Sequence, residues 1–182
     1  GYVTLYPCGE VPDVSNVNFS TDDTVANAVV VPLADDGTLC ASVFGGAHLI
    51  LDAFGYFPEG SGFVPVAPRR AADTRQGERV GDLEGTGAPL EVTVVDSLEL
   101  DGRRVVAAAL NLTVVDAEAN RFGGYVTVYP CGTRPDASNL NFVTGMTVAN
   151  GVMAPVSRTG TVCIHLYGRG DVLVDVNGVI TS

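Results

Sequence analysis

The residues able to do chemistry in this chain come in matched sets. Cys8 and Cys40 are 32 residues apart, and so are Cys131 and Cys163. This spacing lacks the tight CxxC pairs of a zinc site. Its regularity suggests two disulfides, Cys8–Cys40 and Cys131–Cys163, one of the three connectivities that four cysteines allow. Each would close a loop worth roughly 3–4 kcal/mol in the chain-entropy model, and such bonds place the protein outside the cytoplasm. Two copies of a PDxSNxNF loop present Asp13, Ser15, Asn16 and Asn18, then Asp136, Ser138, Asn139 and Asn141. These side chains suit Asx and ST turns that cap their own backbone. The alternative is a polar site for a cation or a sugar, although the spacing is not that of a calcium loop.

Asp52 and Asp175 interrupt apolar runs, and a buried carboxylate needs a partner. Arg69, Arg70 and Arg75 are the candidates, in a segment that also holds Asp73. The histidines do not match between the copies, since His48 aligns with Asp171 and His165 with Ser42. A catalytic site duplicated with the chain would duplicate its base, and Ser15 and Ser138 have no matched histidine for a triad. No glycine loop has the phosphate-binding pattern. The expectation is no catalytic residue, no metal and no cofactor. Asn18-Phe19-Ser20 and Asn111-Leu112-Thr113 fit the glycosylation sequon, but Asn111 falls on a strand expected to be buried.

These matched sets belong to a larger repeat. Residues 1–57 align with 124–180 at a constant offset of 123, with roughly half the positions identical. Such agreement marks a duplication. Residues 62–123 have no second copy, so the chain reads as one and a half units: a YPCG half (1–61), then a complete unit (62–182) made of a DTR half (62–123) and a second YPCG half (124–182). On this reading the chain starts in mid-unit. Either a neighbouring chain completes residues 1–61 or both YPCG halves pack on the middle segment.

The 182 residues suffice for one or two domains with a real core. Hydrophobic residues make up 46% and charged ones 17%, with a net charge of −11 and no lysine. That charge argues against nucleic acid and anionic membranes, and no apolar run is long enough to insert into a membrane. Residues 1–61 hold eight acids and no arginine, which favours solubility or a cationic partner.

Alternating β-formers bounded by turns predict strands at 2–7 and its copy 125–130, 24–33, 38–44, 48–57, 63–68, 90–95, 105–115, 147–156, 161–167 and 171–180. One short helical turn is expected around Arg70. Short strands at this spacing point to an all-β antiparallel sandwich, jelly-roll-like or Greek-key, with a barrel as the alternative.

Phe63–Arg75 (FVPVAPRRAADTR), LNLTVVDA, GYVTVYPCGTRPDASNLNF, TVAN and VLVDVNG occur in that order. Together they resemble a repeat module of secreted and surface proteins of actinobacteria, found in tandem arrays or appended to exported domains. The chain departs from that pattern at Ala71, where the module usually reads RLxDTR, and at Ala53-Phe54-Gly55, where the second copy has Val176-Asn177-Gly178. The resemblance implies an adhesive, structural or wall-associated role. The expected function is a non-enzymatic, extracellular or cell-surface structural module that joins neighbouring repeats or copies of itself, in a head-to-tail filament by strand complementation. The alternative is a module binding cell-wall carbohydrate, with Tyr2, Tyr6, Tyr125 and Tyr129 as the repeated aromatics.

Overall fold

The computed structural model describes residues 1–182 apart from 23–24, 52, 54–55 and 98, and apart from the side chain of Glu99. Twelve strands are described: β1 (Tyr2–Pro7), β2 (Val17–Asn18), β3 (Leu39–Phe44), β4 (Phe63–Asp73), β5 (Leu90–Thr93), β6 (Glu99–Leu100), β7 (Arg103–Glu118), β8 (Gly124–Tyr129), β9 (Leu140–Phe142), β10 (Val148–Pro155), β11 (Thr161–Tyr167) and β12 (Arg169–Thr181). All strand pairing is antiparallel, and no helix occurs among the described residues. The expected all-β, sandwich-like fold is what forms.

Two sheets make the complete unit. The large one runs β10-β7-β12-β4, with β6 paired to β7, and the smaller one runs β5-β11-β8-β9. Their facing sides follow the strand period of two. Leu110, Leu112 and Val114 of β7 and Val172, Val174 and Val176 of β12 meet Val126 of β8 and Val162, Ile164 and Leu166 of β11 in one buried cluster. The β7 stretch AAALNLTVV fills the centre of the large sheet, as its β-branched end and alternation predict. The segment around Arg70 is not a helical turn. It belongs to β4, because Arg69 and Arg70 pair in register with Val176 and Asp175 of β12.

The first YPCG half rebuilds the smaller sheet in miniature. Its order β2-β1-β3 repeats β9-β8-β11, and Tyr2 faces Phe44 as Tyr125 faces Tyr167. Disulfides Cys8–Cys40 and Cys131–Cys163 lock each strand pair at the end of its ladder, with Cα atoms 4.9 Å apart in both. Such bonds suggest folding in an oxidising, extracytoplasmic environment. Gly1 and Gly124 open the paired strands for a shared reason. A Cβ there would lie 2.4 and 2.3 Å from the rings of Phe19 and Phe142.

Two expected strands do not form. Residues 25–33 and the described part of 48–57 join no sheet, although their counterparts are β10 and most of β12. The reason is topological. In the complete unit β7 lies between β10 and β12 and bonds to both, and the first copy has no such strand beside it. A β pattern without a ladder partner leaves its backbone groups unpaired and stays irregular.

Candidate functional site

Asn111 and Thr113 of β7 and Leu173, Asp175 and Asn177 of β12 lie outside the core cluster, and all five are buried. In a two-layer sandwich the side of the sheet away from that cluster would be wet, and here the first copy covers it. Asn111 donates through Nδ2 to the Ser15 carbonyl at 2.5 Å and accepts at Oδ1 from Asn27 at 3.2 Å. The Gly151 amide donates to Asn27 Oδ1 at 2.8 Å. Arg70 reaches the Asp13 carbonyl at 3.4 Å. Gly151 matters by what it lacks, since a Cβ there would sit 1.9 Å from the Ala28 carbonyl oxygen.

The repeated loops are built as internal braces. Asn16 and Asn139 accept from the amides of Leu5 and Val128 at 2.6 and 2.7 Å. Thr4 and Thr127 donate to the carbonyls of Val14 and Ala137 at 2.6 Å each. Asn27 and Asn150 tie the loop from behind, donating to the carbonyls of Asn16 and Asn139. The side chains of Asp13, Asp136, Ser138 and Asn141 lie on the exposed surface, and Ser15 and Asn18 are half-buried. No group of three His, Cys, Asp or Glu suited to a metal occurs among the described residues.

Asp175 pairs with Arg70, Nε to Oδ1 at 2.5 Å, with its carboxylate side chain 1% exposed. Burial pushes its carboxyl pKa up, against the pull of the Arg70 guanidinium. Asp73 behaves oppositely. Its hydrogen bonds from Arg75 hold it down to about 2, and Arg70 also reaches it at 3.1 Å. Of the three arginines considered for Asp175, Arg70 pairs with it, Arg75 pairs with Asp73 and Arg69 donates to the Val94 carbonyl. Asp52, the counterpart of Asp175 in the first copy, lies outside the described residues. His165 is buried between Arg134 and the Gly85 carbonyl, a packed position with no nucleophile bonded to it.

What distinguishes the two copies is cover. Leu49 is 41% exposed where its counterpart Val172 is 0%, Leu51 is 56% where Val174 is 0%, and Val43 is 37% where Leu166 is 1%. On β1, Val3 and Leu5 are buried, but Leu39 and Val43 of β3, on the same face of that sheet, are exposed. The large sheet therefore shields only part of the first copy. Ile50, Tyr56 and Phe57 extend the bare surface.

A second surface feature is an open apolar hollow of about 460 Å³ bordered by Phe122, Tyr125, Asn141, Val143, Met146 and Tyr167. Tyr125 and Tyr167 stack at 5.3 Å between centroids, as Tyr2 and Phe44 do at 5.2 Å. Of the four repeated tyrosines, Tyr6 and Tyr129 are buried, while Tyr2 is exposed and Tyr125 half-buried. The hollow depends on Phe122, Val143 and Met146, whose loop positions carry no periodic signal. No protein-family model, curated protein or solved structure matches this chain.

Proposed function

We propose that the chain is a non-enzymatic, extracellular structural or adhesive module, built to be joined to further units of its own kind at the bacterial surface. One observation carries this reading: Leu166, Val172 and Val174 are buried in the core of the second copy, while their counterparts Val43, Leu49 and Leu51 are exposed in the first. Contiguous exposed apolar surface of this kind marks an interaction site, and unpaired strand segments are where chains join. Disulfides in both halves suit a piece that must hold its shape outside the cell. Light scattering of non-reduced protein over a concentration series, followed by negative-stain microscopy, tests it. Growing oligomers or filaments are expected. A monodisperse monomer at high concentration counts against self-assembly.

The alternative reading is a module for cell-wall carbohydrate, favoured by the duplicated aromatic stacks at the surface. Ring faces pack on pyranose CH groups, and Asn141 supplies a polar edge beside Tyr125. Retention on purified peptidoglycan that is lost in Tyr125→Ala and Tyr167→Ala, with the disulfides and fold intact, would establish it. No retention of the unaltered protein removes it.

A further inference from the structure

The two copies amount to an occupied and a vacant version of one binding site. In the occupied version, β7 enters between β10 and β12. Val148 stands opposite Val114, Val152 opposite Leu110 and Ala154 opposite Ala108 on one side. Val172 stands opposite Val114, Val174 opposite Leu112 and Val179 opposite Ala108 on the other. The vacant version has the same frame, because β1, β2 and β3 reproduce β8, β9 and β11 and carry the same disulfide. It also has similar flanks in sequence: TVANAVVVP (24–32) against TVANGVMAP (147–155).

We infer that the first copy is an acceptor for one extended strand of the β7 type, supplied by a DTR half from outside this unit, in a register fixed by the second copy. This inference rests on the structural-module reading and names its partner. Moving the observed register back by the repeat offset places Val25, Val29 and Val31 opposite donor residues equivalent to Val114, Leu110 and Ala108. Leu49, Leu51 and Tyr56 stand opposite the equivalents of Val114, Leu112 and Ala108 on the other flank. Main-chain bonds on both edges would supply affinity, and the alternating Leu110, Leu112 and Val114 side chains would supply specificity, as in other strand-addition complexes. The donor covers the face on which Leu39 and Val43 now stand bare. The chain's own β7 is not the occupant, since both of its edges are already bonded to β10 and β12.

The test is hydrogen–deuterium exchange on the full, oxidised chain, with a synthetic peptide of residues 103–118 as the probe. At saturating peptide, amides in 25–32 and 49–51 are expected to slow by about 100-fold, as residues entering a stable ladder do. Those of 148–155 stay unchanged, because their site is filled. A peptide carrying Leu110→Asp and Leu112→Asp is expected to have no effect. No slowing at 25–32, or equal slowing with the altered peptide, overturns the inference. Slowing that rises with protein concentration in the absence of peptide assigns the site to a folded second copy, whose β7 has no free edge, and also overturns it. The parent reading fails separately. Filaments without peptide protection leave the structural role and remove this acceptor, whereas peptide protection in a strictly monomeric chain does the reverse for self-assembly.

Discussion

Replacing Arg70 by alanine isolates the buried ion pair beneath the first copy. Asp175 is sealed from solvent and its Oδ2 has no protein partner, so Arg70 is its one compensating charge. Without it, the folded chain must either keep a bare buried carboxylate or protonate it. Protonation sets the ceiling. A carboxyl that ionises near its ordinary 3.8 takes up a proton at pH 7 for about 1.36 kcal/mol for each of roughly three pH units, about 4 kcal/mol in all. That agrees with the roughly 3–5 kcal/mol typical of breaking a buried pair. At pH 4 the same protonation costs well under about 1 kcal/mol. The sign follows from burial. A carboxyl whose pKa is raised on folding contributes stability that is present below 3.8 and lost as pH rises through the raised value. Urea unfolding of Arg70→Ala with disulfides intact should therefore show a loss of about 3–4 kcal/mol at pH 7 and about 1 kcal/mol at pH 4. Arg70→Ala with Asp175→Asn should show no such pH dependence. Equal losses at pH 4 and pH 7 would refute the reasoning, because Asp175 would then not be the charge that Arg70 serves.

The remaining predictions concern other joints of the molecule. Replacing Cys131 and Cys163 together by serine should lower stability to urea by roughly 3–4 kcal/mol from lost loop closure, and an unchanged midpoint would mean the bond is not formed in solution. Gly151→Ala should push the first copy off the large sheet, since the added carbon meets the Ala28 carbonyl at 1.9 Å. Faster limited proteolysis within residues 20–61, with the complete unit still resistant, is the expected pattern, and unchanged cleavage contradicts it. Asp73→Asn should cost about 0.5–1 kcal/mol at pH 7, modest because Arg75 is half exposed. That cost should fade as pH drops from the ordinary value of 3.8 to about 2, since a depressed carboxyl stabilises above its unfolded pKa. Matched urea curves at pH 7 and pH 2.5 check it.

Local pattern carried the sequence reading far where strands have local evidence for both faces. Thr161–Tyr167 and Val172–Ile180 alternate or run apolar between turns, and they form as expected. The cysteine spacing pointed to both disulfides because each copy carries the same pair 32 residues apart. The same pattern misled at 25–33 and the described part of 48–57. Nothing within those segments differs in kind from β10 and β12, because what they lack is a neighbour distant in sequence. The Arg70 segment was misread for a related reason. Its small residues suit a turn, and only pairing with β12 extends it. Asp175 was legible as a charge in an apolar run that required an arginine. The seat made by Asn111, Asn27 and Gly151 was not, because a glycine needed for close approach looks like any other substitution in an alignment of two copies.

The position of β7 also dictates an order of events as the chain is made. β7 has two suitors for each edge, and the wrong ones come first. Residues 25–32 and 48–57 are synthesised before β7, while β10 and β12 follow it by tens of residues. For that interval β7 meets flanks of nearly the right sequence in the copy where it does not finally reside. The large sheet closes only when β12 slides between β7 and β4, a long-range step of the kind that slows β proteins. Two halves with roughly half their positions identical thus offer β7 equivalent flanks, and the folded chain pairs it with the later ones.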